Sequence, residues 1–401
     1  MRRIQGRAQP CPGRLHYPFL SRYVVELLWL ILLMSCPSQK PPAPHLLSEN
    51  SNYIVHRPIL NHRSKRAFFT DIREKLSGKM TPNPQYHNDL PRFVAEEFVD
   101  GNFLGLPSVS GDPDIVVLQV PYELTTSYGQ GTEQGPAACV AASGQVELFD
   151  PVLGQDLPAG YNIHTAPEWD GEGSTLQQQL SGISKYLKKW NNGKIFPVIL
   201  GGEHGILPAV IESLQNHPDV EGDYSKLTVV QIDAHADLRT QLDGEPFSHA
   251  CAAARAMDYG LKHLYQVGVR AFSKEEYDRI NSDPNISTYF AAEVLTNHNK
   301  WRGWLDVLRA IEGPIHLTVD IDGLDGSIVP ATGTPVPGGL SFWQAVETIE
   351  AVFSAPNGRV ISMDVNEIVP QEDTPLTQFT AAMLATKGII NHIVARQSGR
   401  W

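Results

Sequence analysis

From about residue 86 onward, short β-branched apolar runs alternate with amphipathic stretches, and no hairpin signal joins one run to the next. The runs are DIVVLQV (114 to 120), KIFPVIL (194 to 200), LTVVQI (227 to 232), LYQVGV (264 to 269), IHLTVDI (315 to 321) and RVISMDV (359 to 365). A strand that is apolar on both sides of its pleat must be covered on both faces, which parallel strands achieve through crossover helices. TLQQQLSGISKYLKKW (175 to 190) and LSFWQAVETIEAVF (340 to 353) supply such helices, the second with Ser341 and Gln344 at capping-box spacing. A last amphipathic stretch runs from about Thr377 to Arg396. The pattern predicts an α/β fold with a mostly parallel sheet and helices on both faces, whose ligands bind at the carboxyl ends of the strands. No internal repeat and no phosphate-cradling glycine loop interrupts it.

Polar groups cluster where those runs stop. VVQIDAHADL places Asp233, His235 and Asp237 at alternate positions after a strand, and in an extended segment such residues point to one side. TVDIDGLDG repeats the device with Asp320 and Asp322. A third strand ends in VILGGEHG, delivering His204 after two glycines expected to allow a tight turn. Any one of these has a bland reading as a loop carboxylate or a hydrogen-bonded structural histidine. Together they bring two imidazoles and four carboxylates to three strand ends, and buried carboxylates without counter-ions repel one another. Two divalent cations about 3.5 to 4 Å apart, sharing carboxylates and holding a water between them, resolve that repulsion. The oxygen-rich donor set suits Mn²⁺ better than a thiolate-seeking Zn²⁺, with Ni²⁺ or Fe²⁺ as further choices.

The charge of −12 is unevenly spread. Residues 1 to 75 carry 12 Lys/Arg against 4 Asp/Glu, and the remainder carries 20 against 40. An acidic body repels nucleic-acid phosphates and favours a small cationic substrate. The four cysteines form no CxxC pair, so a reducing compartment is the default and Cys139 and Cys251 are expected to be small buried residues. The unbroken apolar run Leu27 to Met34 is too short for a stable membrane span. With its basic lead and the Pro- and Ser-rich stretch that follows, residues 1 to 80 are expected to be a leader and an extended tail, and residues 81 to 401 the catalytic domain. The leader is compatible with a signal segment, an organellar transit peptide or sequence upstream of the true start. The expected location is the cytoplasm or an organellar matrix, the mitochondrial one if the leader is a transit peptide.

GGEHG, DAHADLR, SHA and VDIDGLDGSIVPATGTPVPGGL resemble, in order and spacing, the signatures of the ureohydrolase family of arginases and agmatinases. FLGLP and VPYELTTSYGQGTEQGPAACVAAS are similar to the opening segment of its agmatinase branch, and the resemblance spans roughly residues 103 to 390. It implies a three-layer α/β/α sandwich around an eight-stranded parallel sheet, assembled as trimers or hexamers. By resemblance His204, Asp233, Asp237 and Asp320 hold one manganese, and His235 and Asp322, sharing Asp233 and Asp320, hold the second. The resemblance also gives Asp237 a hydrogen bond to the nucleophilic water and makes His249 of FSHA the proton shuttle. Glu367 of MDVNEIVP becomes the holder of the guanidinium, and Thr334 of ATGTP lines the site.

Three positions depart from the family pattern. Gly326 replaces a proline, Gly205 a small hydroxyl residue, and Asn366 an apolar one. None removes a ligand. The loop RTQLDGEPFS lacks the Asn and Ser with which arginases hold an α-amino acid head and follows the agmatinase form. Agmatine, cleaved to putrescine and urea, is therefore the first expected substrate, and free guanidine or a guanidino acid the second. An inactive family member acting as a partner protein should have lost a ligand, whereas all six are present. A metal-dependent deacetylase would need one zinc and not this doubled carboxylate set.

Overall fold

The computed structural model describes residues 98–401 apart from residue 172. The leader, with its apolar run, lies outside the described residues. In chain order the strands are β1 (Ile115–Val120), β2 (Phe149–Asp150), β3 (Gln155–Asp156), β4 (Ile163–Thr165), β5 (Phe196–Gly201), β6 (Thr228–Ile232), β7 (His263–Val267), β8 (Ile286–Tyr289), β9 (Gly313–Asp320) and β10 (Gly358–Asn366). β2 and β3 form a small antiparallel pair. The other eight form one sheet in the order β4-β1-β5-β10-β9-β6-β7-β8, parallel throughout.

Alternation along the strands β1, β5 and β6 feeds a core on each face of the sheet. In β1, Ile115 and Val117 join a core on one face, while Val116, Leu118 and Val120 join a second core on the other. Helices α1 (Gly135–Ser143), α7 (His298–Arg309), α8 (Phe342–Phe353) and α9 (Leu376–Gln397) cover the first face. Helices α2 (Leu176–Lys188), α3 (Leu207–Ser213) and α4 (Ala252–Met257) cover the second. The remaining helices are α5 (Lys274–Ser282) and α6 (Ala291–Val294). The result is the expected α/β/α sandwich. Two caps anchor the long amphipathic segments: the Thr175 side chain accepts from the Gln178 N–H at the start of α2, and Ser341 and Gln344 form the full capping box of α8.

The six apolar runs are six of the eight strands, within two residues at each end. β4 and β8, the two sheet edges, have no matching run because they are three and four residues long and read IHT and ISTY. Cys139 and Cys251 are free and buried, as expected.

The chain finishes in the middle of its own sheet. After β5 it leaves two strand positions empty and starts again at β6; β9 and β10 fill the gap later. Such a reversal opens a crevice at the carboxyl ends of the central strands.

Candidate functional site

The four central strands β5, β10, β9 and β6 end level with one another. Val365 pairs with Leu200, Asn366 with Asp320, and Val319 with Ile232. The next residues out are therefore neighbours: His204 beyond β5, Glu367 beyond β10, Asp320 and Asp322 at β9, and Asp233 beyond β6. All five are buried, between 0% and 6% exposed, at a place where polar groups need partners.

Local backbone, more than alternation, brings the chelating groups together. β6 stops at Ile232, and Asp237 sits in the left-handed region at φ 53, so Asp233, His235 and Asp237 do not lie along one extended strand. Asp237 turns toward His204, while His235 faces Asp322. Glu367 is also left-handed, at φ 63, and such conformations cost about 1–3 kcal/mol in non-glycine residues. The two glycines before His204 have a different role from the expected one. Neither has a positive φ, but a Cβ on Gly202 would meet the Tyr122 carbonyl oxygen at 2.0 Å, so the position requires close backbone approach.

His204 is fixed by a hydroxyl with a committed hydrogen. Thr318 Oγ1 donates to Asp364 Oδ1 at 2.6 Å and lies 2.9 Å from His204 Nε2, so Nε2 carries the hydrogen of that contact. Nδ1 then faces Asp233 Oδ2 at 3.1 Å, Asp237 Oδ2 at 3.0 Å and Asp320 Oδ2 at 3.5 Å, and makes no hydrogen bond. His235 Nδ1 lies 3.0 Å from Asp322 Oδ2 and 3.7 Å from Asp233 Oδ1. Asp322 Oδ2 is likewise buried without a hydrogen-bond partner. Two donor groups result, His204 with Asp233 and Asp237, and Asp233 with His235 and Asp322. They share Asp233, one carboxylate oxygen toward each imidazole.

The electrostatics match a site built around cations. Burial and the Asp233 charge push the Asp237 carboxyl up to about 7, and burial with neighbouring carboxylates carries Asp320 well above the usual range. Burial raises Glu367 in the same direction. For His235, burial pulls the imidazole down, but Asp322 and Asp233 outweigh it and lift it to about 11. The cluster can thus be neutralised only by protons or by positive ions. Lone pairs of oxygen and nitrogen converging within 4.8 Å, two of them orphaned, fit a pair of divalent cations.

A cavity of about 290 Å³ opens beside the cluster, lined by His235, Asp237, His249, Ser127 and Thr334 among others. His249 starts a short helical turn after Ser248, and burial holds its imidazole below the ordinary value. Glu367 is placed differently. Its Oε1 accepts the His204 N–H at 2.8 Å, and its Oε2 points at Gly333, where a Cβ would sit 2.8 Å away. A larger groove of about 1010 Å³ adjoins this cavity through Ser127, Leu242 and Asp243, and includes Glu245. Sequence reasoning did not single out Thr125, Ser127, Glu203, Thr318 or Asp364, which surround the two imidazoles His204 and His249. All five lie inside quoted motifs, Thr125 and Ser127 in VPYELTTS, Glu203 in GGEHG, Thr318 in TVDIDGLDG and Asp364 in MDVNEIVP, but none has a residue type and spacing that marks it as a partner of an imidazole.

The departures from the family pattern are accommodated. A Cβ at Gly205 would lie 3.0 Å from Glu203 Oε1, Asn366 donates to Asp364 Oδ1 at 2.6 Å, and Gly326 faces open space.

Comparison with known proteins agrees with this architecture. The N(1)-aminopropylagmatine ureohydrolase of Synechocystis sp. is 34% identical over 286 residues, 69% of this chain and 88% of that protein. The agmatinase of Bacillus anthracis is 30% identical, covering 65% of this chain and 86% of that protein. The crystal structure of the agmatine ureohydrolase of Thermoplasma volcanium shares the fold, with a TM-score of 0.62 at 23% identity over 77% of this chain and 97% of its own. The arginase family's own sequence model matches residues 113–390, and the chain belongs to the arginase family.

Proposed function

We propose that this protein is a two-metal ureohydrolase that cleaves an aliphatic guanidine without an α-carboxylate, agmatine first, into urea and an amine. The observation that carries the reading is the pair of His/Asp donor groups sharing Asp233 at the floor of the His249 cavity. His204, Asp233, Asp237 and Asp320 would hold one cation, and His235 and Asp322, sharing Asp233 and Asp320, the second. Manganese suits these donors, and nickel is the alternative. When bound, the cations supply the acidification of water that a resonance-stabilised guanidinium requires.

The chain's own residues do the rest. Glu367 takes the cationic head with the carboxylate oxygen that faces Gly333. Asp237 accepts a hydrogen bond from the attacking water, and Thr334 limits the space beside it. A bond forms from the water oxygen to the guanidinium carbon, the bond from that carbon to the nitrogen bearing the alkyl chain breaks, and both protons of the water end on that departing nitrogen, one of them taken up and delivered by His249. General acid groups of this kind contribute about 10²- to 10⁴-fold.

A second substrate reading rests on its own observation. The adjoining groove of about 1010 Å³ carries Asp243 and Glu245 and has room for a longer cationic tail, and the Synechocystis relative is named for N(1)-aminopropylagmatine. The test is urea release by the full chain loaded with Mn²⁺, from agmatine, N(1)-aminopropylagmatine, arginine, guanidinobutyrate and guanidine in parallel. The expected kcat/KM for agmatine is at least about tenfold above that for arginine, roughly 1.4 kcal/mol of transition-state binding. Equal or faster turnover of arginine contradicts the reading, and preference for the longer amine selects the second substrate.

A further inference from the structure

Glu203 lies next to His204 but points away from the metal-binding donors. Its carboxylate is fully buried, and Oε2 accepts the Leu124 N–H at 3.1 Å and the Thr125 N–H at 2.7 Å. Its Oε1 accepts the Thr125 hydroxyl at 2.8 Å. That hydroxyl has one hydrogen and two acceptor positions, and all three are used. The hydrogen goes to Glu203. The acceptor positions face the His249 backbone N–H at 2.9 Å and His249 Nδ1 at 3.2 Å.

A hydroxyl whose hydrogen is committed elsewhere can only accept from the ring, so Nδ1 must be the protonated nitrogen. Nε2 is then left with its lone pair. It lies 3.4 Å from the Ser127 hydroxyl, and both residues line the cavity shared with His235 and Asp237. From these contacts we infer that Glu203, acting through Thr125, is a positioning pair that fixes the ring orientation and tautomer of His249, so that Nε2 is the nitrogen exchanging protons with the reacting atoms. The arrangement is a carboxylate–hydroxyl–imidazole chain. Gly205 permits it, because a side chain there would crowd Glu203 Oε1. The inference rests on the reading of His249 as the proton donor.

The test separates the two ideas. Thr125→Val removes the hydroxyl yet leaves the Thr125 backbone bond that ties this loop to Glu203. In the full, Mn²⁺-loaded chain acting on agmatine, this variant is expected to lower kcat at least about tenfold with KM within about twofold and metal content unchanged, and Thr125→Ser to restore most of the loss. The double variant Thr125→Val/His249→Asn is expected to be no slower than His249→Asn alone, since both remove one device. Independently of turnover, ¹⁵N spectra of histidine-labelled protein prepared without manganese are expected to show His249 as the Nδ1–H tautomer, with that preference lost in Thr125→Val. Wild-type kcat in Thr125→Val while His249→Asn is slow, losses that multiply in the double variant, or an Nε2–H tautomer in the wild type each overturn the inference. Full activity in His249→Asn overturns instead the proton-donor reading on which it stands.

Discussion

Asp233 offers one oxygen to each of two imidazoles, and its own geometry is held by a Gln231 side-chain bond at 2.6 Å and the His235 N–H at 2.6 Å. A carboxylate so placed serves both halves of the cluster, whereas His204 serves one. Asp233→Asn is therefore expected to reduce bound metal well below one ion per chain, while His204→Ala keeps about one; metal analysis after desalting distinguishes them. Equal losses in the two variants would remove Asp233 from the bridging position. The residue types of this cluster were legible in the sequence, because two imidazoles and four carboxylates gathered at three strand ends leave uncompensated buried charge unless cations are held there. Their geometry was not. The left-handed turn at Asp237 has no signature in DAHADLR, and the contacts of Thr125 with Glu203 and His249 join positions 78 and 124 residues apart.

Elements hold these residues in register, and their ends are where stability can be tested. The α8 capping box satisfies two backbone donors at once, so Ser341→Ala is expected to cost about 1 kcal/mol, read as a shift of the denaturation midpoint. No change would mean that the tertiary packing of α8 alone fixes its start. In α9, His392 is fully buried, stacked on Phe196 at 4.2 Å, and neither ring nitrogen has a partner. Burial, with the charges of Arg396 and Arg359, holds it well below the ordinary histidine value. A group depressed in the folded state takes its proton first in the unfolded one, so its contribution is present above about pH 6.5 and is lost as pH falls. His392→Leu is expected to lose less Tm than the wild type between pH 7.5 and pH 5; parallel losses would show that His392 does not set the acid limb. The strands and long helices of this layer were readable because burial on two faces demands unbroken apolar runs. The edge strands β4 and β8 were not, since a three- or four-residue strand buried less completely needs no such run.

At the scale of the whole molecule, the sheet order explains why distant motifs meet. β9 and β10 enter between β5 and β6, so GGEHG, DAHADLR, VDIDGLDG and MDVNEIVP, spread over more than 160 residues, finish at one crevice. The sequence pattern implied a parallel sheet with a site at its carboxyl edge, and the family resemblance added the count of eight strands, but strand order depends on contacts between segments far apart in the chain and is seen only in the structure. Among the described residues no helix is long and apolar enough to cross a membrane. The acidic body and the polar groove beside the cavity suit a small cation. The central proposal is a pair of divalent ions sharing Asp233, which metal analysis of catalytically active protein tests most directly. The account predicts a content approaching two ions per chain, with activity rising in step with the second ion. Full activity at a stoichiometry that stays at one would contradict it.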